Sequence, residues 1–196
     1  NIGVDAAGNT LQERRNGSGA RVYGVNLDAK IAHGKEIALQ AGFTYQQSRY
    51  KEMEVWSENP LVAPTKNMPR TPNCYGYFTL TSSPLRGFEA SLSGVYTGRM
   101  YVPHFAPVPG DVPADYEYTY IQQDEMVRIP DFFDFNTKLN YTFVLGEHLK
   151  LQLNGGVQNL FNAFQRDLDK GTYRDSGYFY GPTQPRTFFI GVKLFN

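Results

Sequence analysis

Three histidines are the first side chains in this sequence that could do chemistry, and they lie far apart: His33, His104 and His148. His33 and His148 fall in predicted short turns, where exposure to solvent is the ordinary outcome. His104 lies in a long predicted loop beside Met100 and Tyr101. Histidine is a common haem ligand, so haem ligation at His104 is conceivable, although no second ligand is evident. We therefore predict a binding role for His104 only.

A second group imitates the start of a calcium-binding loop: Asp167, Asp169, Gly171 and Asp175. A loop of the EF-hand type needs Asp or Asn at positions one, three and five, Gly at six and Glu at twelve. Here the glycine falls at position five and no glutamate follows. A solvated loop is therefore the favoured interpretation, and we predict no metal site.

Recognisable catalytic motifs are absent from the sequence. No Ser-His-Asp or Cys-His arrangement is spaced as a local motif, and no glycine-rich phosphate loop occurs. The lone cysteine, Cys74, cannot form an internal disulfide. We predict no enzyme activity and no bound cofactor.

A tyrosine-rich loop is the best candidate for contact with a ligand. Tyrosine gives rigid amphipathic contacts at low entropy cost. The alternative is a loop that packs on itself or contacts a lipoprotein lid. The predicted substrate-binding residues are His104 and these tyrosines, which acidic residues flank: Tyr116, Tyr118 and Tyr120, with Asp111, Asp115 and Glu117.

Composition narrows the class of protein. The 196 residues suffice for one domain, and the formal net charge of zero provides no basic surface for nucleic acid. Phe and Tyr raise the aromatic content to 15%, which favours strands. No apolar run reaches the length of about 18 residues that a membrane-spanning helix needs. No signal peptide is visible and the chain does not begin with Met, so we expect a mature protein or a fragment.

The elements that must position these residues are long strands. In the last third of the chain, apolar and polar residues alternate with a period of two, which is typical of a strand with two different faces. Runs of about eleven residues exceed the usual five or six and match a transmembrane barrel wall. The apolar residues of the two clearest runs are Phe133, Phe135, Leu139, Tyr141 and Phe143, then Leu149, Leu151, Leu153 and Val157.

Short and long connections alternate along the chain. Short ones are predicted near residues 33, 84 and 146, and long ones near 60, 116 and 174. Such alternation is typical of an antiparallel barrel meander with short periplasmic turns and long extracellular loops, which makes the C-terminus periplasmic. A partial strand is expected at 1–4, and the faces of the 73–81 strand are ambiguous. The seven predicted strands are 20–32, 37–46, 73–81, 88–101, 133–143, 149–159 and 187–195.

Three segments together resemble TonB-dependent outer-membrane receptors of Gram-negative bacteria. Residues 156–162, Gly-Val-Gln-Asn-Leu-Phe-Asn, look like the penultimate strand of that family, and residues 185–192, Pro-Arg-Thr-Phe-Phe-Ile-Gly-Val, look like the last strand. Asn16 followed by 20–27 is similar to a strand that often reads Gly-Val-Glu-Leu-Glu, with Asn26 and Asp28 here in place of the acids. The family usually ends on a terminal Phe, whereas the alternation here puts Asn196 in that position.

The resemblance implies that residues 1–196 are about the last eight strands of a twenty-two-stranded barrel. The plug domain, earlier strands and TonB-contacting segment would lie upstream. It implies an outer-membrane receptor that takes up a ferric siderophore, or else cobalamin or haem, with energy from TonB. The expected partners are outer-membrane lipid, TonB, the ligand and a surface lipoprotein, with no nucleic acid.

Two other interpretations stay open on the sequence. One is a small self-closed eight-stranded outer-membrane barrel with an adhesive or structural role. The other is a soluble β-sandwich binding module, which would bury its apolar faces in a core. Neither requires TonB.

Overall fold

The computed structural model describes residues 3–4, 6–7, 10–11, 16–34, 36–107, 110 and 121–196. Every regular element within these ranges is a β-strand. We find no helix in the described part of the chain that could span a lipid bilayer. The predicted all-β antiparallel fold class is confirmed, while the count of twenty-two strands stays a prediction.

The described residues form seven long strands and five short ones. The long strands are β3 (Ala20–His33), β4 (Ile37–Glu54), β6 (Cys74–Leu85), β7 (Phe88–Thr97), β10 (Phe132–Val144), β11 (Lys150–Gln158) and β12 (Thr187–Phe195). The short strands are β1 (Gly3–Val4), β2 (Thr10–Leu11), β5 (Thr65–Asn67), β8 (Met100–His104) and β9 (Glu125–Ile129).

The long strands form one antiparallel meander in the order β12-β11-β10-β7-β6-β4-β3, with β5 paired to β4. β1 pairs with β2, and β8 with β9, as separate two-stranded sheets. We call the end of the meander near residues 34, 87 and 146 the short-turn end, and the opposite end the long-loop end. The two outermost strands, β3 and β12, are not paired with each other.

Register keeps one apolar face continuous across all seven strands. Directly opposed residues of antiparallel strands share a face. The apolar face consists of the odd residues of β3, β4, β10 and β11, with the even residues of β7, β12 and residues 74–82 of β6. One row of paired residues crosses the sheet as Ile31, Leu39, Leu80, Leu92, Thr137, Val157 and Phe188.

This register assigns the two faces of β6, which the sequence left ambiguous. In β6, Phe78 and Leu80 lie on the apolar face, opposite Ala41 and Leu39 of β4. Tyr77 lies on the opposite, polar face, where its hydroxyl hydrogen-bonds Asp28. Neighbouring strands were needed to decide this, because both faces of β6 carry large side chains.

The apolar face is open rather than packed against a second layer. Ile190 is 87% exposed, and Leu27 is 64% exposed. The buried hydrophobic residues of the described chain are Val102, Ile129, Tyr178 and Tyr180, which lie beyond the long-loop end of the meander. A sandwich would bury alternate residues of its strands between two sheets. The described residues therefore contradict the β-sandwich interpretation.

Two predicted connections are partly strands. Residues 82–85, expected to be a turn, continue β6, and the chain reverses at Arg86 and Gly87, where Gly87 has a φ of 81°. The expected loop from 103 to 130 contains the end of β8 and all of β9. Thr97 pairs with Phe132 and Met100 with Ile129 in unbroken register, so the β8–β9 hairpin prolongs β7 and β10.

β4 also exceeds its predicted length. It runs to Glu54, eight residues past the expected end at Gln46, because β3 pairs with it as far as Tyr50 and β5 pairs with Arg49 and Glu54. The remaining long strands match the prediction more closely: β12 runs from Thr187 to Phe195, the predicted limits. Of the expected partial strand at 1–4, the structure describes Gly3–Val4.

Candidate functional site

Four segments meet beyond the long-loop end of the meander, and we call them together the loop rim. The loop rim consists of residues 55–73, 100–107, 121–131 and 159–186. Its hydrophobic centre is Val102 and Ile129, both fully buried in the β8–β9 hairpin, with Tyr178 and Tyr180 packed beside them. The loops therefore have a small core of their own.

His104 lies at the end of β8, against this core. Its ring stacks on the ring of Tyr178, with centroids 3.8 Å apart and planes 9° from parallel. Its Nε2 lies 2.9 Å from Oδ2 of Asp169, and its Nδ1 lies 3.8 Å from Oε1 of Glu125. His104 and Asp169 are each 6% exposed. The pair joins the hairpin to the 159–186 loop.

Asp169 is fixed from a second direction. Its Oδ2 also accepts a hydrogen bond of 3.1 Å from the backbone N–H of Asp175. The Asp175 carboxylate in turn accepts 2.9 Å from the N–H of Phe105, one residue past His104. Two aspartates therefore hold the same short stretch of the hairpin.

Asp167 is the acceptor for both core tyrosines. The Tyr178 hydroxyl donates 2.6 Å to its Oδ2, and the Tyr180 hydroxyl donates to its Oδ1. Burial raises the pKa of Asp167, but its hydrogen bonds, those from Tyr178 and Tyr180 first and then those from the backbone and Gln165, together hold that pKa below its ordinary value. Burial, followed by the bond to Asp167, raises the pKa of both tyrosines.

Amide side chains close the 159–186 loop. Gln165, 6% exposed, donates 3.3 Å to the Tyr178 carbonyl and accepts 3.0 Å from the Tyr180 N–H. Asn159 bonds the carbonyls of Ala163 and Gln184, bringing together residues 21 positions apart at the base of the loop. Buried amides satisfied in this way fix the loop backbone without a long apolar run.

Arg70 and Asp124 join the remaining segments. Arg70 has a φ of 54°, a left-handed conformation that is uncommon for arginine, and donates to the carbonyls of Gly177 and Phe179. Asp124 accepts from the Ser57 hydroxyl and from the Ala106 N–H. All four segments of the loop rim are therefore hydrogen-bonded to one another.

This arrangement changes the interpretation of the predicted acidic group. Asp169 is buried against His104 and is not the solvated residue the sequence suggested, whereas Asp167 is exposed as predicted, although it accepts hydrogen bonds from Tyr178 and Tyr180. Among the described residues, no group of three His, Cys, Asp or Glu side chains is placed to hold a metal ion. His104 is buried with Nε2 bonded to Asp169, so haem ligation there would require breaking that bond.

The other predicted residues fall as follows. His33 ends β3 and His148 lies in a turn, and both are exposed as predicted. Cys74 is a free thiol on the apolar face of β6. Tyr116, Tyr118 and Tyr120 lie outside the described residues, so their predicted role in ligand contact is untested. The segment that carries them connects β8 to β9.

The outer surface of the loop rim presents aromatic and cationic groups. Phe105 is 40% exposed and packs against Trp56, with ring centroids 5.9 Å apart. A cleft of about 380 Å³ opens beside them, lined by Trp56, Tyr101 and Asp124 among others. The exposed guanidinium of Arg70 lies on the same rim. Such a surface can bind a ligand through stacking and ionic contacts.

Sequence reasoning missed Asn159, Gln165, Tyr178 and Tyr180 as site residues. One signal was present: Asp167 and Asp169 are spaced by two, as are Tyr178 and Tyr180. Two such pairs on either side of a turn can meet face to face. Asn159 belongs to the strand motif at 156–162, and that motif gives no sign that its side chain bonds two loop carbonyls.

Replacement of Asp169 tests how firmly the loop rim is joined. Asp169→Ala leaves the buried His104 ring without its hydrogen-bond partner, which costs about 1–3 kcal/mol. We expect the free energy of local opening, measured by hydrogen exchange at residues 104–106 and 175–180, to fall by that amount. Glu147→Ala, in an exposed turn, is the control and should leave exchange unchanged. Equal exchange in the two variants would show that the pair does not hold the loops.

Asp167 gives the loop rim a pH dependence of defined sign. Its folded pKa is lowered, so its stabilising contribution is complete above the unfolded value of about 3.9 and is lost as pH falls through the folded value. The tyrosines have raised pKa values, so their contribution is complete below about 10 and is lost as pH rises through the folded values.

The free energy of local opening at residues 165–180 should therefore stay constant between the two unfolded pKa values, about 3.9 and about 10, and should decline at lower and at higher pH. The Tyr178→Phe/Tyr180→Phe variant should lose less stability on acidification, because the hydroxyls that lower the Asp167 pKa are gone. The measurement is hydrogen exchange corrected for the intrinsic rate at each pH. An acid decline of the same size in the variant would refute this assignment.

Comparison with known proteins agrees with the fold. No family model matches the chain, and no curated protein matches it in sequence. A solved structure of similar fold is the ferric-catecholate import receptor Fiu of E. coli K12, in its closed form, with a TM-score of 0.56 and 21% sequence identity. The match covers 90% of this chain and 21% of the receptor, so the chain spans about a fifth of that protein. At this identity the likeness shows the fold.

Proposed function

We propose that this chain is part of the barrel wall and outer loops of a TonB-dependent outer-membrane receptor. One observation carries the proposal: a meander of long strands that keeps an exposed apolar face in register across seven strands. A bilayer requires such a face toward lipid and complete backbone pairing along each strand. The fold shared with an import receptor supports the same assignment.

The polar face contains oxygen atoms that the chain itself covers and leaves unpaired. Three buried oxygen atoms have no hydrogen-bond partner among the described residues: Ser48 Oγ, Asp134 Oδ1 and Asn140 Oδ1. All three residues occupy even positions of β4 and β10, so they share the polar face. Buried polar atoms are rarely left unpaired.

The loop rim is the proposed vestibule for substrate. Its segments form a joined surface with exposed Arg70 and the aromatic pair Trp56 and Phe105. Such groups suit an anionic aromatic complex, and the similar structure is named an import receptor for ferric catecholates. We propose a ferric siderophore of the catecholate class as substrate, ahead of cobalamin or haem. The extracellular tyrosines Tyr116, Tyr118 and Tyr120 are proposed contacts.

His104 has a different proposed role from the one the sequence suggested. Because its ring is buried and bonded to Asp169, it fixes the base of the β8–β9 hairpin rather than meeting substrate. The tyrosine segment leaves from this hairpin. His104 would thereby position the segment that binds the ligand.

The rest of the assignment follows from the receptor class. The long-loop end is extracellular, and the short turns and C-terminus are periplasmic. Energy would reach the receptor from TonB through the upstream region, and a surface lipoprotein could cover the loop rim. We propose transport without catalysis.

A self-closed eight-stranded barrel with an adhesive role remains the second candidate. It would need β3 and β12 to be bridged by a further strand, because the two edges do not pair directly. β1 and β2 pair with each other instead and are two residues long. This observation favours a wall that continues in a larger barrel.

Iron uptake tests the proposed function. The complete gene should restore uptake of a radiolabelled ferric tricatecholate to an iron-starved strain that lacks its own catecholate receptors. Uptake should require TonB, so a TonB-deficient strain carrying the same gene should show background levels. Residues 111–120 replaced by a Gly-Ser linker of equal length should reduce uptake at least tenfold while the protein still reaches the outer membrane.

Two results would contradict the proposal. One is outer-membrane protein that takes up no ferric tricatecholate, haem or cobalamin in the presence of TonB. The other is a protein that is soluble without detergent and shows no heat-dependent shift in gel migration. The first result removes the transport role, and the second removes the membrane location as well.

A further inference from the structure

Two arginines face each other on neighbouring strands near the long-loop end of the sheet. Arg21 of β3 is directly opposite Arg49 of β4, so both lie on the apolar face. Both side chains are exposed. Like charges in directly opposed positions destabilise a sheet. A local cost of this kind points to an anion that neutralises the pair.

A third cation, Lys51, lies two residues past Arg49, toward the long-loop end of the sheet. The N–H of Lys51 donates 3.0 Å to the carbonyl of Gly19, which continues the β3–β4 ladder past Arg21 and Arg49. The Lys51 Nζ lies 3.7 Å from the place where a Gly19 Cβ would be, so it leans across the same face. The cations therefore follow one another along one edge.

These residues line a cleft of about 410 Å³, which we call the arginine cleft. Its lining is Arg21, Tyr23, Gln47, Arg49, Tyr50, Lys51 and Glu52. The lining contains three cationic side chains and one carboxylate, so its net charge is positive. Among the described residues, none of the ion pairs includes Arg21, Arg49 or Lys51. The Tyr23 hydroxyl donates to Gln47 Oε1 between the arginines and the apolar residues of the same face.

Large apolar side chains begin immediately below the cleft. Val25 and Tyr45 form the next pair on the same face and are each 60% exposed, and Leu27 follows at 64%. A ligand held by the arginines would therefore extend apolar groups along these residues. A free phosphate ion would leave them uncovered, whereas the acyl chains of a lipid would cover them.

We propose that the arginine cleft binds the phosphate-bearing headgroup of a lipid in the outer leaflet. Guanidinium groups form paired hydrogen bonds to phosphate oxygens, and two facing arginines can hold one phosphate between them. Lys51 adds a further charge, and the acyl chains lie on Val25 and Leu27. This inference rests on the proposed membrane location and is independent of the transported substrate.

Binding of lipid A by the full-length protein tests the inference. In a neutral detergent, native mass spectrometry should detect one bound lipid A per protein, weakened at least tenfold in Arg21→Gln/Arg49→Gln. The matched control is Lys30→Gln/Lys138→Gln, which removes the same charge from the polar face and should bind as the parent does. Heat-dependent gel migration checks that every variant is folded.

The experiment distinguishes a failure of the lipid site from a failure of the proposed function. Equal lipid A binding by both double variants, in protein that is folded and needs detergent, overturns the lipid site and leaves the proposed function standing. Binding of inorganic phosphate alone as strongly as lipid A in the same measurement also overturns it, because the apolar residues would then play no part. Protein that stays soluble without detergent overturns the membrane location and this site with it.

Discussion

Strand register is the constraint on which the rest of this structure depends. Side chains alternate with a period of two, so a slip of one residue between any two strands would exchange their apolar and polar faces. Six successive pairings, from β3 to β12, all place residues of the apolar face opposite residues of the apolar face. The result is a sheet with one apolar and one polar side, as the proposed membrane location requires, and few apolar residues of its long strands are buried.

The loop rim depends indirectly on the same register. β8 and β9 continue the β7–β10 pairing beyond the sheet, and this extension carries Val102, Ile129 and His104 to the level of the loops. The 159–186 loop then stacks Tyr178 on the His104 ring and places Asp169 at its Nε2. The loops form one surface, because Asp124, Asp169 and Asp175 each accept a hydrogen bond from another segment of the loop rim. A preformed surface of this kind loses less entropy when a ligand binds.

The sequence predicted the sheet well because alternation is a local signal. β12 has its predicted limits, and the apolar residues of β10 lie on the face that their period indicated. Prediction failed where neighbouring strands decide the outcome. The faces of β6, the extension of β4 by β5 and the strand at Glu125–Ile129 all depend on pairing between distant residues. The loop rim was least predictable, since the bond between His104 and Asp169 joins residues 65 positions apart. Asp169 was interpreted as solvated because nothing local shows that a histidine 65 positions earlier covers it.

The most direct test of this account is the environment of successive residues in β12. Spin labels would be placed one at a time at positions 188–194 of the full-length protein in lipid vesicles, with Cys74 replaced by Ser. Collision with oxygen, which dissolves in lipid, would be compared with collision with a water-soluble nickel complex. The account predicts high oxygen accessibility at Phe188, Ile190, Val192 and Leu194 and low accessibility at the positions between them. Accessibility with no period of two, or with water contact at the even positions, would contradict it.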